Sequence, residues 1–135
     1  MVMEKQFNEV IEKLRVRLAN AYAIGDHLRH EIDVVEEKIR AVREPDGYGH
    51  LFKTYEDVLY LYHQNKCDIV QLRAELANMA SPDAELIYGA DTVSDARFVL
   101  KQDAKQRAKA ETLRRKAVRK EKAELAALGR ISRDN

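Results

Sequence analysis

From Phe7 to Val42, apolar or small residues recur at spacings that alternate between four and three: Phe7, Ile11, Leu14, Leu18, Ala21, Gly25, Leu28, Ile32, Val35, Ile39 and Val42. This is a heptad seam sustained over five heptads without an internal proline, and it predicts a single helix over roughly residues 3–43. About 40 residues at ~1.5 Å each make a rod of ~60 Å. A rod cannot bury its stripe against itself, so the pattern demands a partner helix. The seam narrows at Ala21 and Gly25. Glycine in a helix interior costs about 1 kcal/mol relative to alanine. Gly25 is therefore either tolerated with a slight bend or marks the close approach of another backbone, for which two small residues leave room.

The partner follows directly. Pro45-Asp46-Gly47-Tyr48-Gly49 stops the first helix, and its two glycines permit a tight turn. A short connection favours an antiparallel neighbour. A second helix is expected from about His50 to Ala80, with Leu51, Tyr55, Val58, Tyr62, Asn65, Ile69, Leu72, Leu76 and Met79 on a second 4-3 seam. Asn65 interrupts that seam. It reads either as a wet-edge residue or as a buried polar group that fixes register or copy number at some cost in stability. A weaker stripe of Leu59, His63, Cys67, Val70, Ala74 and Ala77 runs alongside, which suggests a helix flanked on two sides.

Ser81-Pro82-Asp83 has the form of a helix start, with Ser81 as cap, and Gly89 limits that helix to a short one. Thr92-Val93-Ser94-Asp95 offers a second cap with its acid where a capping box places it. From Val93 nothing breaks the helix until Gly129. Val93, Ala96, Val99 and Leu100 are suited to docking, whereas Ala104, Ala108, Ala110, Leu113, Ala117 and Val118 form no broad stripe. The fold class is therefore all-α: a long antiparallel heptad hairpin, a short helix and a long basic C-terminal helix. The expected division is 1–90 for the hairpin and connector and 91–135 for the basic helix.

The formal net charge of +1 conceals a polarity. Residues 1–100 carry 12 Lys/Arg and 18 Asp/Glu, a balance of −6, and residues 101–135 carry 12 and 5, a balance of +7. Lys101, Lys105, Arg107, Lys109, Arg114, Arg115, Lys116, Arg119, Lys120 and Lys122 make the basic face. Such a face suits an acidic protein surface, a neighbouring copy included, or phosphates. No aromatic residue follows Phe98, so base stacking is unsupported, and only Leu125 and Leu128 remain to continue a zipper beyond the basic region.

Chemistry finds little footing. No Glu stands three residues before any of the four His, as a di-iron bundle requires, and His27-Leu28-Arg29-His30 reads as solvated surface. His63 and Cys67 share a helix face, but a mid-helix backbone offers no oxyanion hole, so Cys67 is expected to be a packed structural residue. The glycines are isolated and form no phosphate loop. No enzyme activity, catalytic residue, metal or cofactor is expected. Tyr48, Tyr55, Tyr60 and Tyr62 cluster near the turn, as packing residues or as an interface. The single cysteine, the missing apolar leader and the lack of a run near ~20 apolar residues point to an intracellular chain, in the cytoplasm or in a particle assembled inside the cell, and not to a secreted or membrane protein.

The function expected from these residues is that of a non-enzymatic structural subunit in a larger homo- or hetero-oligomer, with a virus particle as one setting. The oligomer seam is assigned to Ile11, Leu14, Leu18, Ala21, Gly25, Leu28, Ile32, Val35, Ile39, Tyr55, Val58, Tyr62, Asn65, Ile69, Leu72 and Leu76. Alternatives are a nucleic-acid-binding regulator acting through the basic helix and a small helical binder or inhibitor of another protein.

Overall fold

The computed structural model describes residues 6–42 and 48–133, with side chains through Gly129. The elements are α1 (Glu9–Ala41), α2 (Tyr48–Ala80), a 3-10 turn (Pro82–Ala84), α3 (Glu85–Tyr88) and α4 (Ala90–Arg133). Among the described residues there is no strand, and the chain is all-α. The turn at Pro45-Asp46-Gly47 and the helix start near Met3 lie outside the described residues. Residues 1–97 and 98–135 form two compact units.

In the first unit α1 and α2 pack against each other as an antiparallel hairpin. Three hydrogen bonds fix the direction: Tyr48 reaches Val42, Tyr55 reaches Glu36 and Asn65 reaches Ala21, so α1 numbers fall as α2 numbers rise. The two heptad seams meet in this packing. Ile11, Leu14, Leu18, Ala21, Gly25, Leu28 and Val35 are buried on α1, and Val58, Asn65, Leu72 and Leu76 on α2. Ile32, Ile39, Tyr55, Tyr62 and Ile69 line the edges, half-buried. Each large apolar side chain so buried contributes about 1.5–3 kcal/mol relative to exposure. Eleven of the residues assigned to an oligomer seam are thus buried within a single chain, and the other five lie at the edges of its hairpin core.

The open end of the hairpin is closed by the start of α4. Asn8 caps α1, its Oδ1 accepting from the N–H of Val10 at 3.0 Å. The Asn8 N–H donates to Asp95 Oδ2 at 2.9 Å, and Asn8 Nδ2 donates to Thr92 Oγ1 at 3.1 Å. Arg97 Nε donates to the Ala80 carbonyl at 2.9 Å, near the end of α2. Ile11, Leu76, Val93 and Ala96 are almost fully enclosed at this end.

Several local expectations are corrected. Gly49 lies within α2, which starts at Tyr48 because the tyrosine already belongs to the first turn. Ser81 makes no side-chain cap; its carbonyl instead accepts from the Ala84 N–H at 3.0 Å and closes the 3-10 turn. Gly89 does end α3, with φ at +88°, a left-handed backbone that a glycine adopts without strain. Helix α4 starts at Ala90, ahead of Thr92, because its first backbone bond runs from the Val93 N–H to the Gly89 carbonyl at 3.2 Å, while the Thr92 and Asp95 side chains accept from Asn8. It also continues past Gly129, since one glycine costs a helix only about 1 kcal/mol.

Candidate functional site

The small waist of α1 and the polar intruder of α2 are one site. Asn65 is 6% exposed and its Nδ2 donates to the Ala21 carbonyl at 2.8 Å. In a helix that carbonyl points toward the residue four positions on, here Gly25. With no Cβ at Gly25, the flank of the carbonyl stays open to the incoming amide. A Cβ built there would stand 2.6 Å from Asn65 Oδ1. The close approach thus comes from a side-chain amide, in the space that the missing Cβ leaves. Oδ1 itself is buried and has no hydrogen-bond partner among the described residues. Asn65 therefore ties α2 to α1 at a cost, since a buried unpaired acceptor is unfavourable by about 1–3 kcal/mol.

On one side of this contact the hairpin is grooved. An open cavity of about 540 Å³ runs between α1 and α2, with Ala21, Leu28, Asn65 and Leu72 along its lining. Ile24 and Leu61 face it while remaining 54% and 52% exposed. Asp68 and Glu75 stand on the α2 rim and Arg17 on the α1 rim. Both Ile24 and Leu61 fall outside the 4-3 seams, and an off-seam apolar residue on each helix is the signal that marks this groove.

The opposite flank of α2 differs from expectation. Leu59 is half-buried, but His63, Cys67, Val70, Ala74 and Ala77 are exposed, because α1 covers the seam face of α2 and not this flank. Cys67 is therefore a surface thiol and not a packed one. His27 is exposed as well, with Nε2 at 3.0 Å from Glu31 Oε1. Among the described residues no group of three or more His, Cys, Asp or Glu side chains comes together as a metal site.

Tyrosines fasten the turn end. Tyr48 Oη donates to the Val42 carbonyl at 2.8 Å and its ring stacks on Phe52. Tyr55 Oη donates to Glu36 Oε1 at 3.3 Å. Burial, and then the hydrogen bond and charge of Glu36, push the Tyr55 phenol above its ordinary range. Tyr60 points outward, and Tyr62 carries Lys66 Nζ over its ring at 4.6 Å. At the other end of α1, the hydrogen bond from Arg15 holds the Glu12 carboxyl below its ordinary range.

The basic face is fully displayed. Every residue from Ala104 to Gly129 is exposed, and so is Lys101. Arg107 pairs with Asp103 at 3.1 Å and Arg115 with Glu111 at 3.3 Å, one turn apart along the helix. Leu113, Val118, Leu125 and Leu128 are exposed by 67%, 42%, 61% and 62%. A second apolar display lies on α3, where Leu86 and Ile87 are 97% and 76% exposed. Their run of three apolar residues with Tyr88 signals it in the sequence. No described helix is long and apolar enough to cross a membrane. No protein-family model, curated protein or solved structure matches this chain.

Proposed function

We propose that this chain is a non-enzymatic assembly protein, a helical subunit that joins copies of itself or a partner of acidic surface through its basic C-terminal helix. The observation that carries this reading is the unbroken exposure from Ala104 to Gly129, with four large apolar side chains included. A helix in a folded protein takes most of its stability from packing one face. A 44-residue helix with exposed leucines between rows of cations is suited to a protein contact. The opposed balances of −6 and +7 make another copy a complementary partner. Glu111, Glu121 and Glu124, interleaved among the cations, disfavour a phosphate backbone. A repeating assembly inside the cell, a virus particle among them, is the setting for such a subunit.

The test is sedimentation of the full-length protein over a range of concentrations, with native mass measurement in the presence and absence of DNA and RNA. Assembly beyond the monomer without nucleic acid, weakened by salt, supports the reading. A monomer that binds nucleic acid at micromolar concentration with a steep dependence on log salt establishes the regulator instead. A monomer that does neither leaves the role of binder to a different protein.

A further inference from the structure

We propose that the distal part of α4 pairs antiparallel with the same stretch of a second copy, about a two-fold axis between Ala117 and Val118, so that Arg114 of each chain meets Glu121 of the other. This rests on the assembly reading and names one joint of it.

Glu121 breaks the local rule of an exposed helix. Carboxylates there pair with cations three or four residues away, as Glu111 does with Arg115 at 3.3 Å. Glu121 has Ala117, Val118, Glu124 and Leu125 at those four positions, and no cation. Arg114 is its counterpart. The acid within its reach along the helix is Glu111, which Arg115 holds, and its other three positions are Ala110, Ala117 and Val118. Neither Arg114 nor Glu121 has an ion-pair partner among the described residues. Both are exposed, together with the apolar side chains beside them, Val118 by 42% and Leu125 by 61%.

Arg114 and Glu121 stand seven residues apart. That is about two helical turns, so they share a face with a rise of ~10.5 Å between them. The face is positive toward its N-terminal end and negative toward its C-terminal end. Two parallel copies would set Arg114 on Arg114 and Glu121 on Glu121. Reversed, they set each arginine level with a glutamate, and a two-fold contact makes the pair twice. The same register sets Ala110 level with Leu125 and Ala117 level with Val118, small against large. The two axes can then approach closely between the ion pairs. At about 100° per residue, Arg115, Lys116 and Arg119 fall on the outer side of each helix, so the cations nearest the two-fold axis stay in solvent. Glu111 and Glu124 also come level, but on opposite edges of the contact.

Charge selects the occupant. Nucleic acid offers Glu121 no cation. An acidic protein surface would meet Arg114 and leave Glu121 facing like charge. The same helix, reversed, satisfies both.

The test is sedimentation of full-length Arg114→Glu, Glu121→Arg and the double variant that carries both, against the wild type, with helicity followed by circular dichroism. Each single reversal puts two like-charged pairs across the axis and is expected to weaken self-association about tenfold. The double variant restores opposite charges and is expected to associate as the wild type does. An equimolar mixture of the two single variants should recover as well. If the wild type assembles and the single variants assemble equally, or the double variant is not rescued, this joint is wrong and the assembly reading stands. If the wild type is monomeric throughout, both fall. Orientation is read separately. In a Cys67→Ser background, Ala110→Cys chains mixed with Leu125→Cys chains are expected to form mixed disulfides on mild oxidation. Ala110→Cys chains that link to each other instead would show parallel pairing and overturn the inference, as would the absence of any link in assembled protein.

Discussion

A side-chain carbon on Gly25 would stand 2.6 Å from Oδ1 of Asn65 on the facing helix, well inside van der Waals contact. The amide has no slack to give, because it is buried and its other end is tied to the Ala21 carbonyl. The glycine and the asparagine therefore depend on each other.

Substitution Gly25→Ala is accordingly expected to destabilise. The gain in helix propensity is about 1 kcal/mol, and displacement of Asn65 costs about 1–3 kcal/mol through its lost hydrogen bond. In an Asn65→Ala background the amide is absent, and Gly25→Ala should become stabilising by up to about 1 kcal/mol. Urea denaturation of the four chains gives the cycle, with a coupling of about 2 kcal/mol expected. Additive effects would place the two residues out of contact.

Asn65→Leu should behave differently from Asn65→Ala. Leucine nearly matches the shape of asparagine and removes the unpaired Oδ1 without opening a cavity. Stability should rise by about 1–2 kcal/mol, seen as a higher thermal midpoint. Since the seam lies within one chain, the mass of the particle should be unchanged by this substitution. A lower midpoint would mean that the Ala21 hydrogen bond outweighs the buried acceptor.

At the open end, Asn8→Ala removes the cap of α1 and the contact to Thr92 in one step. A loss of about 1–2 kcal/mol is expected. Amide exchange should quicken in the first turn of α1 and in the first turns of α4, whereas amides near Gly25 should change only as global stability does.

Tyr55 ties stability to alkaline pH. Its folded pKa is raised above the ordinary value of 10.0 by burial and by Glu36. The folded chain then keeps a proton that the unfolded chain releases. The contribution is complete below the unfolded pKa and is lost as pH rises through the folded one. The stability advantage of the wild type over Tyr55→Phe should therefore shrink as pH rises past the ordinary phenol value of 10.0. Denaturation midpoints at several pH values measure it, and a constant difference would contradict the Tyr55–Glu36 contact.

The heptads made the hairpin legible, because a 4-3 spacing has one geometric solution: the seam residues of α1 and α2 are buried or half-buried where the spacing put them, Ile11, Leu14, Leu18, Leu28, Val35, Val58, Leu72 and Leu76 among the buried ones. That Gly25 and Asn65 meet was not legible. Each seam carries one anomaly, but pairing them requires the register of the turn, and no local rule supplies it. Thr92 and Asp95 misled in an instructive way. A Thr-x-x-Asp sequence has the composition of a cap, and these side chains do serve a helix start, but that of α1, 84 and 87 residues from Asn8. The groove emerges only once the hairpin is built, since Ile24 and Leu61 belong to neither seam and lie together across two helices.

That span of 84 and 87 residues has a consequence for the order in which the first unit forms. The hairpin can zip from its turn through contacts of steadily growing separation, at little entropic cost per step. The clasp at Asn8 closes a loop of 87 residues, and it cannot form until residue 95 has been synthesised and has returned. Contacts of such separation form late. Weakening the clasp should therefore leave the refolding rate nearly unchanged and shorten the lifetime of the native state, so that Asn8 governs how long the fold lasts and not how fast it is reached.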